Sequence, residues 1–227
     1  MVLPTELHTD GEMLRVSGRR VATFWSQDIR FGPYRTTGAR RGWRADDMND
    51  WAVLDKDEYW GSKQPLSFSL EGAMCARWEA QCLATASRRR REAAVGIGTQ
   101  PDGHLGIARR LVEDTSKAKF ECTVAPVGAP AWQLMLTRDD PSGFGGVLRD
   151  DRGTLRARVR AADRRTDKGE TYSAPSLGFV MKASSGDVAA VDRADDGKVI
   201  FERRTPPDQR CALATVAAAL LLWEPLR

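Results

Sequence analysis

The feature that most constrains this chain is an alternation of apolar and polar side chains with a period of two. Successive side chains of a strand point to opposite faces of a sheet, so this period is typical of strands with one buried face. The clearest stretches are 66–71, 74–82, 119–124, 132–136 and 155–161, and shorter ones are 13–16, 20–25, 28–35, 177–183, 188–192 and 198–202. The pattern predicts a mainly β fold of about ten antiparallel strands, arranged as a sandwich or an open barrel.

The alternation stops near the C-terminus, where residues 205–224 predict a helix. Thr205 is placed to cap its start, and the prolines that follow suit a first helical turn. Thr215 is the only polar residue between 211 and 223, so the helix is apolar on nearly every side. Such a helix is expected to be buried against the sheet, and the alternatives are docking to a partner or to a membrane surface.

Length and composition favour a single β-rich domain over residues 1–227. The chain has 227 residues and 41% hydrophobic residues, which suffices for a substantial core. It has no apolar run of about 18 residues, so no transmembrane segment is predicted. The N-terminal residues lack the apolar region of a signal peptide. As written, the protein is expected to be cytoplasmic, or periplasmic or secreted if an export signal has been removed.

The four cysteines do not have metal-site spacing. Cys75, Cys82, Cys122 and Cys211 include no C-x-x-C pair, and the only histidines are His8 and His104. Neither a metal nor a cofactor is therefore predicted. Cys82 and Cys122 lie on the apolar faces of their predicted strands, whereas Cys75 lies on the polar face. If those two strands are neighbours, a Cys82–Cys122 disulfide is predicted, which requires an oxidising compartment; the alternative is four buried thiols.

Segment 36–64 differs from the rest and predicts a long, partly helical excursion between strands. Its tryptophans, Trp43, Trp51 and Trp60, are candidate contacts for a ligand or a partner, unless they pack together as a satellite core. Its acidic residues are Asp46, Asp47, Asp50, Asp55, Asp57 and Glu58. Two such carboxylates are what a glycoside-cleaving hydrolase needs, although a solvated acidic loop has the same composition.

Arginine provides most of the positive charge. The chain has 28 Arg and 7 Lys among its 35 basic residues, and its net charge is +4. Two clusters, Arg88, Arg89, Arg90 and Arg91 and then Arg156, Arg158 and Arg160, suggest a surface for nucleic acid or another polyanion. Because arginine is abundant throughout the chain, the excess of arginine over lysine indicates a general compositional bias more than a local binding site.

The sequence contains no recognisable catalytic motif. The glycine-rich stretch 95–103 lacks the Gly-Lys-Ser/Thr of a phosphate loop, and no G-x-S-x-G is present. The prediction is a non-enzymatic binding or structural module that contacts a partner or ligand through segment 36–64, and the bacterial cell envelope is the location considered for it. The alternatives are a polyanion binder that uses the arginine clusters and a hydrolase that uses paired carboxylates.

Overall fold

The computed structural model describes residues 5–19, 27–52, 55–99, 105–139, 143–167 and 170–224. These ranges form two helices, α1 (Thr5–Asp10) and α2 (Pro207–Leu222), and thirteen strands. The strands are β1 (Gly11–Ser17), β2 (Arg30–Phe31), β3 (Tyr34–Arg41), β4 (Ala45–Ala52), β5 (Lys56–Gly72), β6 (Cys75–Thr99), β7 (Leu105–Pro126), β8 (Trp132–Asp139), β9 (Phe144–Arg149), β10 (Leu155–Asp167), β11 (Glu170–Ala183), β12 (Gly186–Asp192) and β13 (Lys198–Glu202).

Twelve of these strands close into an antiparallel barrel. Sequential strands pair from β5 to β13, β13 pairs with β1, and β1 continues through β2 to β3. The ring closes because β3 also pairs with β5, from Tyr34 opposite Gly72 to Arg41 opposite Leu66. β4 pairs with β5 beside β3 and lies outside the ring.

The mainly β prediction is confirmed, but its finer form is wrong: the sheet is closed and has more than ten strands. Closure depends on the contact between β3 and β5, and no periodicity of a single strand reveals such a contact. The candidate strand 28–35 is divided between β2 and β3 by a turn at Gly32, where φ is 55°. The candidate strand 20–25 lies outside the described residues.

Helix α2 fills the interior of the barrel. Every residue from Cys211 to Trp223 is buried, and the helix packs against β5, β6, β7 and β12. A twelve-strand ring is wider than inward side chains alone can fill, so an apolar helix replaces what would otherwise be a void. Thr215, its one buried polar residue, donates its hydroxyl hydrogen to Cys211 O at 2.9 Å. The predicted burial of the C-terminal helix is confirmed.

The start of α2 is attached to the barrel by a covalent bond. Cys211, in the second turn, forms a disulfide with Cys75 at the beginning of β6. Pro206 is the N-cap residue and no side chain caps the helix, so the predicted capping role of Thr205 is wrong. The sequence pattern did not indicate this disulfide, because Cys75 lies on the polar face of its strand.

Arginines hold the opposite end of α2. Arg41 donates to Leu222 O from Nε at 3.0 Å and from Nη2 at 2.6 Å, and Arg193 donates to Trp223 O. The last carbonyls of a helix have no partner within it and carry partial negative charge, which guanidinium groups stabilise. Burial lowers the pKa of Arg193 to about 10, and the nearby Arg19 and Arg41 act in the same direction, so the side chain stays charged at neutral pH.

An aromatic cluster surrounds Trp223, the residue that follows α2. Its ring stacks on Phe120 of β7 with centroids 4.4 Å apart, and it meets Phe144 of β9 edge-on at 4.7 Å. Phe179 of β11 lies 5.9 Å away. Three separate strands therefore contact one indole, and this cluster ties the wall of the barrel to the end of the helix.

A second disulfide lies within the wall. Cys82 of β6 and Cys122 of β7 are directly opposite in the β6–β7 register, with their Cα atoms 4.0 Å apart. This is the pair that strand alternation singled out. Both residues face the core, at 6% and 3% exposure.

Strands β4 to β7 continue beyond the core as an arm, formed by residues 45–52, 56–64, 85–99 and 105–119. The last buried residue of β6 is Ala84 and the first of β7 is Phe120, yet their ladder extends to Thr99 opposite Leu105. Both faces of the described part of the arm lack buried apolar side chains. Neither α1 nor α2, the helices within the described ranges, has the length and hydropathy needed to cross a membrane.

We expect the two disulfides to contribute unequally to stability. Cys75–Cys211 joins residues 136 apart and Cys82–Cys122 joins residues 40 apart. In the chain-entropy model, the longer loop contributes about 1 kcal/mol more to the free energy of unfolding. Urea unfolding of the double variants C75A/C211A and C82A/C122A measures this difference. Equal or reversed losses would show that strain or packing, and not loop entropy, sets the contribution of each bond.

Candidate binding surface

The three predicted tryptophans do not form one surface. Trp43 lies in the turn between β3 and β4 and is 79% exposed. Trp60 is half-buried on β5, with the guanidinium of Arg44 5.3 Å from its ring centre. Trp51 is opposite Asp57 in the β4–β5 register, and the side chain of Trp51 is not among those that the structure describes. Trp60 occupies the face of β5 opposite to that of its neighbours Tyr59 and Gly61, so Trp43 and Trp60 serve different faces.

The described residues of segment 36–64, which are 36–52 and 55–64, contain no helix, so the predicted partly helical excursion is wrong. The segment contains residues 36–41 of β3, all of β4 and the first half of β5. Residues 45–50 of β4 are exposed on both faces. Without a buried face a strand has no reason to alternate apolar and polar residues, which is why the pattern did not predict β4.

The acidic residues of this segment are distributed along the arm, largely in pairs with cations. Asp57 accepts two hydrogen bonds from Arg89, which lower its pKa, and Glu58 pairs with Lys56, which lowers its pKa. Asp46 accepts from Arg44, with the same effect on its pKa. Asp55 accepts from Ala94 N at 3.0 Å. Asp47 lines a surface concavity, and Asp50 is exposed opposite Glu58.

The run Arg88–Arg91 is divided by the strand that carries it. Successive residues of β6 alternate in direction, so Arg88 and Arg90 lie on one face of the arm and Arg89 and Arg91 on the other. Each has a carboxylate partner: Asp114, Asp57, Glu92 and Asp55 for residues 88 to 91 in order, at N–O distances of 2.7, 2.6, 2.6 and 4.0 Å. The run therefore forms cross-strand and same-strand ion pairs.

The second arginine cluster projects from β10. Arg156, Arg158 and Arg160 are exposed, and they alternate with buried Ala157 and Val159. Arg156 pairs with the buried carboxylate of Asp150 at 2.7 Å and lies 5.6 Å from the centre of the Trp132 ring. Asp150 also accepts from the backbone of Arg152 and Thr154, which closes the turn between β9 and β10. The role of Arg156 is therefore to hold this turn.

A concavity of about 1300 Å³ lies on the outer face of the barrel, where β5 to β9 continue toward the arm. Two cross-strand rows of outward-facing side chains line it, and a third row lines an adjoining concavity on the side of the arm. The polar row is Arg40, Ser67, Gln81, Thr123, Gln133 and Arg149. The apolar row is Pro65, Leu83, Glu121, Met135 and Val147. The basic row is Lys63, Thr85, Lys119 and Thr137, where an adjoining concavity of about 500 Å³ begins. We call this surface the outer groove.

The apolar row exposes large side chains along its length. Leu83 is 39% exposed and Met135 is 43% exposed. Glu121 interrupts the row, but its carboxylate pairs with Lys119 at 2.7 Å. At one end Gly42 N donates to Pro65 O at 2.9 Å, and a Cβ on Gly42 would lie 2.4 Å from the ring of Pro65. Glycine at this position lets the turn approach, which places Trp43 beside the row.

Cations outnumber anions among the described outward-facing residues of this surface. Its outward-facing charged residues are Arg40, Lys63, Lys117, Lys119 and Arg149, against Asp47 and Glu121. These are five cations and two anions. The cations come from four different strands, β3, β5, β7 and β9, so no run of basic residues in the sequence marks the site.

Among the outward-facing residues of the outer groove, sequence reasoning singled out Trp43 as a candidate contact and Asp47 as one of six candidate carboxylates. Leu83 and Met135 stand on the polar faces of their strands, where a single apolar residue is ordinary. The register of the strands places both residues in one cross-strand row, and the apolar–polar alternation within a single strand does not reveal that row. The described residues contain no cluster of His, Cys, Asp and Glu that could hold a metal. No protein-family model, no curated protein and no solved structure matches this chain.

Asp150 provides a test of the turn that ends the polar row. Burial by itself raises the pKa of Asp150, but hydrogen bonds from Thr154 and Arg156 outweigh it and hold the pKa below 3.8. A carboxyl group whose pKa is lower in the folded state stabilises the protein above pH 3.8 and loses that effect as the pH falls through its folded pKa. We therefore expect Asp150→Asn to lower the Tm at neutral pH, with a difference from the unsubstituted protein that disappears in strong acid.

The matched control is Asp151→Asn, which changes the adjacent exposed carboxyl group. We expect this variant to have nearly the Tm of the unsubstituted protein throughout the titration. A Tm difference for Asp150→Asn that is independent of pH would contradict an electrostatic role for Asp150.

Proposed function

We propose that this protein is a non-enzymatic binding module that holds an anionic, partly apolar partner in the outer groove. The observation that supports this most is the position of the apolar row between cations in two adjoining concavities, with Arg40 and Arg149 in one and Lys63, Lys117 and Lys119 in the other. Within this proposal Trp43 is an anchor at the end of the groove, and Trp60 serves the opposite face of β5.

The interior of the barrel favours an external site. Helix α2 occupies the space where many closed barrels hold a small ligand, and its residues from Cys211 to Trp223 are buried. The larger of the two concavities lies instead on the outer wall. A ligand on such an open surface keeps contact with solvent, which suits a macromolecular partner more than a small molecule.

A hydrolase that uses the acidic residues of segment 36–64 receives less support. A general acid needs a carboxyl group whose pKa is raised, usually by burial or by a second carboxylate. Here cations lower the pKa values of Asp46, Asp57 and Glu58. Those groups remain ionised at neutral pH and are suited to ion pairing.

The disulfides support a location outside a reducing compartment. Cys75–Cys211 and Cys82–Cys122 use all four cysteines of the chain. Structural disulfides persist in the periplasm or outside the cell and are rare in a reducing cytosol. We therefore favour the cell-envelope location over the cytoplasmic one.

Charge reversal within the groove tests the proposed function. We expect the triple variant R40E/K63E/K117E to bind fluorescently labelled poly-L-glutamate at least about tenfold more weakly than the unsubstituted protein at low salt, because the variant replaces favourable charge with repulsion. Fluorescence anisotropy measures the affinity, and the thermal melt of each variant verifies that it is folded.

The matched control is R15E/K182E/K198E, which reverses the same residue types at exposed positions on β1, β11 and β13. Both variants have the same net charge, so only the position of the charge differs. An equal loss of affinity in the two variants would reduce the interaction to the overall charge of the protein. Absence of binding by the unsubstituted protein at low salt would also contradict the proposal.

A further inference from the structure

We infer that the occupant of the outer groove is an amphipathic α-helix of a partner protein, apolar on one face and acidic beside it. This inference rests on the proposed function and deepens it by naming the class of partner. It follows from the backbone of the groove floor, from its dimensions and from the order of its three rows.

The floor of the groove is the face of a complete sheet. The backbones of β5 to β9 pair with each other along the rows, for example Leu83 with Glu121 and Met135 with Val147. An extended peptide on this face would find no free ladder of backbone donors and acceptors to join. A helix satisfies its own backbone groups and presents only side chains, so it loses nothing by lying on a sheet face.

The dimensions of the groove match those of a helix. The polar row crosses six strands from Arg40 on β3 to Arg149 on β9. Five steps of about 4.8 Å give a length of about 24 Å, and alternate residues along a strand place neighbouring rows about 7 Å apart. Three rows are therefore about 14 Å wide, which accommodates a helix about 10–12 Å in diameter and about 16 residues long.

The order of the rows specifies the faces of that helix. The apolar row lies in the middle, with Leu83 and Met135 available to an apolar stripe of residues at i, i+4 and i+7. Lys63 and Lys119 lie on the arm side, with Lys117 beyond them, and Arg40 and Arg149 lie at the two ends of the polar row. Acidic residues along one flank and near the ends of the bound helix would meet these cations.

Other anionic ligands fit the rows less well. An acyl chain laid in an open groove keeps much of its surface in water and gains little from binding. Single-stranded nucleic acid needs a series of aromatic platforms, whereas Trp43 and Tyr59 are the aromatic side chains that line the two concavities, one in each. Thioether and aliphatic side chains such as those of Met135 and Leu83 adapt well to the packed face of a helix.

Two designed peptides test the inference with the full chain. Both have about 16 residues and the same content of Glu, Ala and Leu, but one spaces Leu at i, i+4 and i+7 and the other at alternate positions. We expect the first peptide to bind at least about tenfold tighter than the second, to gain helicity on binding, and to lose this advantage with L83S/M135S. Anisotropy gives the affinities, and circular dichroism gives the helicity.

The control variant L111S/M48S removes the same residue types from exposed positions outside the groove, and we expect it to bind the first peptide normally. Equal affinities for the two peptides, both higher than that for poly-L-glutamate, would overturn the helix inference and leave the proposed function standing, because the groove would then recognise an anionic, partly apolar chain whatever the spacing of its leucines. Equal losses in the two serine variants would also overturn it. Failure of all three probes to bind would contradict the proposed function itself.

Discussion

The structure depends on one constraint: a barrel of twelve strands must fill its interior, and helix α2 does so. Inward-facing residues from nearly every strand join the helix in one continuous core. The small residues of the helix, such as the run Ala217–Ala219, allow the wall to approach its backbone, while Leu220 to Leu222 and Trp223 fill the wider space beyond. The barrel and helix α2 therefore depend on each other. Without the helix the barrel would contain a large void, and without the barrel the apolar helix would be exposed to water.

The two ends of the helix are held by different kinds of interaction. Cys75–Cys211 fixes the start covalently, and Arg41 and Arg193 bind the carbonyl groups at the end. The buried guanidinium of Arg193 would be costly in an apolar core, but the carbonyl oxygen of Trp223 and the face of its indole ring compensate for the lost hydration. The helix is therefore set in both rotation and depth, and the aromatic cluster around Trp223 sets the position of β7, β9 and β11.

Because helix α2 fills the interior of the barrel, we expect a ligand to bind on the outer wall. Strands β5 to β7 are longer than the core requires, and their continuation into the arm accompanies the change of the outer face from a wall to a groove. The charged side chains of the arm neutralise one another in ion pairs such as Arg88–Asp114 and Arg89–Asp57. The cations of the groove are distributed differently, because Arg40, Lys63 and Lys117 come from three strands to two adjoining concavities. Under the proposed function, the arm is the support that shapes the groove.

The sequence by itself determined the kind of secondary structure, the identity of the buried helix and the inward face of most strands. These are local properties, because a period of two or a stretch without polar residues records which side of an element meets water. It also singled out Cys82 and Cys122, since each lies on an apolar face. Tertiary structure alone decided the closure through β3 and β5, the bond between Cys75 and Cys211, and the rows of the outer groove. Each of these joins residues far apart in the chain through strand register, and register arises only when the strands pair.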